Sequence, residues 1–320
     1  MLAVFVAGCA GSELTAPAAA AMTLAGVSLV DDGAVSPLGE NYAAATFSPD
    51  SRLLALAVAG LDAVDVVAVD GSRPVRRVAV GERSGYRFAW TPDSRALVHR
   101  VGATTLVRSS LAGRAEVVAV GERVGLPAVG PDGELLFSVD GELRGTRRLD
   151  GRSVKHLGLV TVVASAAPLL AGWDGHQIFV VDLERNERRE LFAGRGFFDV
   201  ELTADGRLAL VRESRGTDGH LWIATTAGSE RRDLGVGWLG RLAPDGRSVV
   251  YVLQTNDGAR FTSADLWLMT VDGSQRVRLT ASTAQLEIEP AFSPDGERLA
   301  YVDAATGRVH VAHLRREVRP

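Results

Sequence analysis

The chain has a single cysteine, Cys9, and a single lysine, Lys155, among 320 residues. One cysteine excludes an intramolecular disulfide framework and any cysteine-rich zinc or iron–sulfur site. With one lysine, nearly all positive charge is arginine, and it does not build a basic excess. The formal net charge is −4 and there is no polybasic tract, so the electrostatic footprint of nucleic-acid binding is missing. Long apolar runs are absent as well. The longest uncharged run beyond the first residues, Leu157 to Trp173, falls short of the ~20 residues a membrane helix needs. It also contains Gly158, Pro168 and Gly172, and it reads as buried strands. What remains, 46% hydrophobic and 23% charged residues, is the composition of a folded globular chain with a large core.

The first residues differ from the rest. Leu2-Ala3-Val4-Phe5-Val6-Ala7-Gly8 is apolar and uncharged and ends at Cys9, and an alanine-rich stretch from Ala16 to Ala21 follows. Small and polar residues bury too little apolar surface to order themselves, so residues 1–22 read as a leader and flexible tether. Val6-Ala7-Gly8-Cys9 resembles the lipobox of bacterial lipoproteins. The resemblance implies that Cys9 carries a lipid and that the chain sits on the periplasmic side of the cell envelope, anchored to the outer membrane. No Lys or Arg precedes Arg52, which departs from the basic start of such signals and leads to the expectation of a start codon further upstream.

From residue 43 onward the sequence repeats itself. Phe47-Ser48-Pro49-Asp50-Ser51-Arg52-Leu53-Leu54-Ala55 returns as Trp90-Thr91-Pro92-Asp93-Ser94-Arg95-Ala96-Leu97-Val98 and as Phe292-Ser293-Pro294-Asp295-Gly296-Glu297-Arg298-Leu299-Ala300. Weaker copies begin at Val129, Leu202 and Leu242, and a gap of two periods places a degenerate copy near Pro168-Leu169-Leu170-Ala171. Six copies are recognisable and a seventh is inferred. In each, proline and aspartate set a tight turn, and the Gly or Ser after them tolerates its left-handed corner. Apolar strands flank the turn, as in Ala43–Phe47 and Leu53–Val58. A third strand follows, such as Asp265-Leu266-Trp267-Leu268-Met269, and then a polar fourth, such as Arg276-Val277-Arg278-Leu279-Thr280. Four antiparallel strands in ~40 residues are one blade of a β-propeller. The expected fold is therefore all-β, a single propeller over residues 23–320 with seven blades favoured over six. The last repeat supplies only three strands, and the segment around Val27–Val30 belongs to no blade of its own. It is expected to pair with the third strand of the last blade and close the ring.

The pattern Phe292-Ser293-Pro294-Asp295-Gly296, an apolar strand, Asp265-Leu266-Trp267, Val271-Asp272-Gly273 and Arg278-Leu279-Thr280 resembles the propeller repeat of the TolB family. The resemblance runs from Ala43 to the C-terminus, strongest at 288–303 and weakest at 159–175. Two departures stand out: TolB has six blades, and no counterpart of its separate N-terminal domain is present here. The resemblance implies a non-enzymatic monomeric scaffold of the envelope that binds protein or peptide partners, without a cofactor.

Signals for chemistry are few. Gly235-Val236-Gly237-Trp238-Leu239-Gly240 matches a dinucleotide fingerprint as a string, but it runs into the next turn where a helix would have to start. His310 and His313 point to opposite faces of a strand and cannot share an ion. No Gly-x-Ser-x-Gly nucleophile elbow occurs. Arg pairs on the fourth strands read as protection of outer edges against association. The alternative to a scaffold is a propeller enzyme, a metal-dependent hydrolase or lactonase with its site in the central channel. First strands line that channel, and Asp199, Glu201, Glu287 and Glu289 are the carboxylates on which such a site would depend.

Overall fold

The computed structural model describes residues 23–72, 75–129, 134–145, 161–166, 168–257 and 261–316. Its recurring unit is the turn. Ser48 Oγ donates to the Asp50 carboxylate (2.6 Å), which accepts the N–H of Arg52 (3.1 Å), and Ser48 Oγ accepts the N–H of Leu53 (2.9 Å). Ser51 sits at φ 61°, the left-handed corner. Thr91, Thr203 and Ser293 repeat the arrangement with Asp93, Asp205 and Asp295. The hydroxyl at the head of the turn is a contribution that proline, aspartate and glycine alone did not foretell. It ties the turn to the first residue of the next strand, so the hairpin register is set locally.

Seven antiparallel sheets follow one another around a ring. Blade 1 spans 42–80, blade 2 spans 89–120, blade 4 spans 161–193, blade 5 spans 197–236 and blade 6 spans 238–278, each with four strands in sequence order. Blade 3 has three strands among the described residues, Ala128–Val129, Leu135–Val139 and Glu142–Gly145. Blade 4 is the degenerate copy, with Leu169–Trp173 as its second strand. Blade 7 is composite. Glu287–Phe292, Arg298–Asp303 and Arg308–Arg316 are joined on the outside by Val27–Ala34, with Val27 opposite Arg316 and Val30 opposite His313. The third strand of that blade runs four residues beyond Ala312, which gives the closing strand a longer edge to pair with. No helix occurs among the described residues.

The core lies between sheets. Ala55 and Val66 of blade 1 pack with Trp90 and Leu97 of blade 2; Leu210 and Leu221 of blade 5 pack with Tyr251 and Met269 of blade 6. Tyr42 and Phe47 of blade 1 meet Val302 and Val311 of blade 7, so the ring is closed by apolar contact as well as by hydrogen bonds. The glycines of 235–240 serve this packing. A Cβ on Gly237 would lie 2.7 Å from the Tyr251 ring and 2.9 Å from Leu221, and one on Gly240 would lie 2.9 Å from Leu221. They form a blade junction with no helix behind it.

Strand alternation sorts the connections onto two faces. The Ser-Pro-Asp turns share one, hereafter the turn face. The blade-to-blade loops and the turns between second and third strands share the other, the loop face.

Candidate functional site at the channel mouth

Counting back from the residue that heads each turn, Ser or Thr in blades 1, 2, 5 and 7 and Ala243 in blade 6, brings the channel positions of the blades into register. Four residues before it stand Arg87 in blade 2, Asp199 in blade 5 and Glu289 in blade 7; two residues before it stand Glu201 in blade 5 and Arg241 in blade 6. The innermost strands are bulged at this level, with register shifts between Phe197 and Asp199, Trp238 and Arg241, and Ile288 and Ala291. Arg87 and Glu289 take left-handed backbone conformations at φ 56° and 49°. A bulge turns a side chain that would follow the pleat toward the axis of the ring.

These residues form one ionic network. Arg87 Nη1 donates to Asp199 (2.8 Å), and its second Nη meets the other carboxylate oxygen in a bidentate pair. Blades 2 and 5 lie opposite one another in a ring of seven, so this bond spans the channel. Arg212, on the second strand of blade 5, pairs with Asp199 from below, reaches Glu201 at 3.5 Å and donates Nε to the Gly240 carbonyl (2.9 Å). Arg241 approaches Glu289 at 3.7 Å and Asp199 at 4.0 Å. Asp199 and Arg212 are buried, whereas Arg87 and Arg241 remain about a third exposed at 35% and 31%. Burial alone would raise the Asp199 carboxyl, but Arg212, Arg87 and Arg241 outweigh it and hold the group at about 2. Glu201 shifts upward because burial prevails over its arginine neighbours. Burial and the like charge of Arg241 bring Arg212 down to about 10.

Of the four carboxylates named from sequence, three thus meet in this network. Glu287 does not. It begins the innermost strand of blade 7, is 1% exposed, and neither of its oxygens has a hydrogen-bond partner. Burial pushes it up to about 7, reinforced by Asp265, Asp303 and Asp32. Among the described residues no three His, Cys, Asp or Glu side chains are grouped so as to hold a metal. His310 and His313 diverge as expected: His310 stacks on Tyr301 and faces Asp32, while His313 is exposed. Arg87, Arg212 and Arg241 were not foreseen. Their signal was available for Arg87 and Arg241, which occupy the repeat positions of Asp199 and Glu201, but Arg212 lies on a second strand with no such marker. Cys9 lies outside the described residues.

Apolar exposure is one-sided. Of nine large hydrophobics exposed among the described residues, seven lie on the loop face or at strand ends that reach it: Leu38, Val80, Tyr86, Val120, Phe198, Val236 and Phe261. Tyr86 and Phe198 each immediately precede a member of the cross-channel pair. The turn face has a pocket of about 360 Å³ between blades 6 and 7, whose lining mixes Ala243, Pro244 and Leu314 with Asp245, Asp295 and Arg316.

No protein-family model matches the sequence, and no curated protein matches it. Solved structures do resemble it. An oligogalacturonate lyase in complex with manganese has 13% identity and a TM-score of 0.61, over 90% of this chain and 95% of that one. The Swd1 β-propeller domain of Myceliophteria thermophila has 13% identity and a TM-score of 0.60, over 88% and 98%. A putative TolB from Agrobacterium tumefaciens has 16% identity and a TM-score of 0.51, over 89% and 93%. At such identities the likeness shows the fold and no more.

Proposed function

We propose that the chain is a non-catalytic scaffold of the bacterial cell envelope that holds a protein partner on the loop face of its propeller. The observation that carries this reading is that most of the exposed large apolar side chains lie on that face, with Tyr86 and Phe198 beside a channel mouth spanned by Arg87 and Asp199. Loops on a rigid scaffold are where binding residues gather. The propeller repeat shared with TolB and the Val6-Ala7-Gly8-Cys9 motif support a periplasmic location, with Cys9 as the lipid attachment point at the outer membrane. Photo-cross-linking in intact cells, with the reactive group at Phe198 on the loop face and at Arg114 on the turn face, tests the scaffold. Capture of a protein from Phe198 alone supports it, and equal or absent capture from both positions refutes it. Cys9→Ser tests the anchor: the variant leaves the membrane fraction if the cysteine is lipidated.

A second reading is an enzyme with a metal in the channel, and the propeller of the manganese-bound lyase favours it at the level of fold. Here the channel carboxylates are neutralised by arginines, which compete with any cation for the same oxygens. One tightly held divalent ion per purified chain, measured without chelators, would decide for the enzyme.

A further inference from the structure

We propose that Arg241 of blade 6 and Glu289 of blade 7 form a receptor at the channel mouth for an uncharged carboxamide, the side chain of an asparagine or glutamine on the protein partner. This rests on the reading that the loop face binds protein.

The two side chains face each other without bonding. Arg241 Nη2 lies 3.7 Å from Glu289 Oε2, and Arg241 Nη1 lies 4.0 Å from Asp199 Oδ2. Both separations exceed a hydrogen bond. Among the described residues neither the Arg241 guanidinium nor the Glu289 carboxylate makes one, and the two side chains are 31% and 26% exposed, so the gap between them opens to solvent. Asp199, on the other side of Arg241, is closed to a ligand. It is buried and already accepts from Arg87, Arg212 and the N–H of Val200 (3.0 Å). The open donors are those of Arg241, and the open acceptor is Glu289.

The backbone holds the pair in place. Directly before Arg241, the Gly240 carbonyl accepts Arg212 Nε (2.9 Å), and Gly240 packs too closely on Leu221 to admit a side chain. Glu289 stands at φ 49° before Pro290, a position that is normally extended. Such a conformation persists only where its surroundings impose it, and residues of this kind gather where ligands are clamped.

Charge selects the ligand. Arg87, Arg212 and Arg241 balance Asp199, Glu201 and Glu289. An incoming carboxylate would meet Glu289 and Asp199 beside the arginine it seeks, and an ammonium would meet Arg241 and Arg87 beside the glutamate. Either would bring an uncompensated charge into a network already balanced, at a desolvation cost. A carboxamide has no net charge and supplies both partners that the gap lacks, an oxygen for Arg241 and an N–H for Glu289. Its oxygen and nitrogen stand about 2.2 Å apart, and hydrogen bonds of about 2.9 Å from each span a gap of the observed width. A single oxygen bridging both groups would hold its two bonds at about 80° to one another, a poorer fit.

The test uses the full chain and short immobilised peptides of one apolar host sequence, with glutamine, asparagine, glutamate, aspartate or leucine at the centre. The expected result is retention on the glutamine or asparagine peptide about tenfold stronger than on its isosteric acid. Arg241→Gln should abolish that preference, and Arg114→Gln on the turn face should leave it unchanged. Glu289→Gln leaves the network with one excess positive charge and should reverse the preference toward the acid. Glu289 makes no hydrogen bond, so its variant carries the test even if Arg241→Gln melts early, and a reversal cannot come from a damaged fold. Equal retention on amide, acid and leucine peptides, no retention on any of them, or a preference that survives Glu289→Gln would each overturn the assignment. If Phe198 still captures a protein in cells while Arg241→Gln and Glu289→Gln have no effect on that capture, this site fails and the scaffold reading stands.

Discussion

Glu287 gives the sharpest test of the physics, because a carboxyl buried without a partner must be held neutral. Its folded-state pKa is raised to about 7, while in the unfolded chain it returns to the ordinary glutamate value. A raised carboxyl pKa means that the folded state binds the proton more tightly. Its stabilising effect is therefore complete below the unfolded pKa and is lost as pH rises through the folded one. Each tenfold difference in proton affinity is worth about 1.4 kcal/mol, so this one group should cost the fold roughly 3 kcal/mol between acid and pH 8. Glu287→Gln removes the titration. Urea unfolding of wild type and variant at pH 5, 6, 7 and 8 should show the wild type losing stability relative to the variant across that range, with the difference levelling off above pH 7.5 or so. The amide leaves buried polar atoms unsatisfied, which costs about 1–3 kcal/mol at every pH, so the change with pH is the readout and not the absolute value. Buried His99 titrates with the opposite slope in both proteins and cancels in the comparison. Parallel curves for the two proteins would refute the argument.

Three further outcomes are expected. Removing the closing strand by starting the chain at Ala43 deletes buried Leu24 and Val27 and exposes the edge of Arg308–Arg316; calorimetry should show melting lower by on the order of 10 °C, whereas a start at Met22 should match the full chain. Arg212→Leu strips the buried Asp199 of one of its two close partners and should cost about 3–5 kcal/mol in urea unfolding, against roughly 1 kcal/mol for Arg87→Ala, whose guanidinium is partly solvated. Gly219→Ala sets a Cβ 2.4 Å from the Trp238 ring and 2.6 Å from the Gly237 carbonyl, so it should destabilise by at least ~1–3 kcal/mol and perturb the Trp fluorescence.

The blades were legible because their determinants are local. The strand Leu53–Val58 has in the structure the limits its apolar run gives it, and the degenerate blade at Leu169–Trp173 stands where the doubled spacing required it. Ring closure followed from counting strands, since an unpaired edge at one end and a spare strand at the other have one mutual solution. The bulges were not legible, because a bulge depends on how a strand meets its partner and not on its own residues. Asp199, Glu201 and Glu289 could be placed in the channel from their position in first strands, yet their chemistry could not be read there. A metal site and an ion-pair network draw on the same carboxylates, and the choice lies with Arg87, 112 residues from Asp199 along the chain, and with Arg212 on a neighbouring strand. The sequence by itself determined the repeat and the turns, both set by contacts within about 40 residues, and favoured seven blades over six. Only the closed ring decided which charges face each other across its axis, because that proximity exists only once seven blades have been assembled.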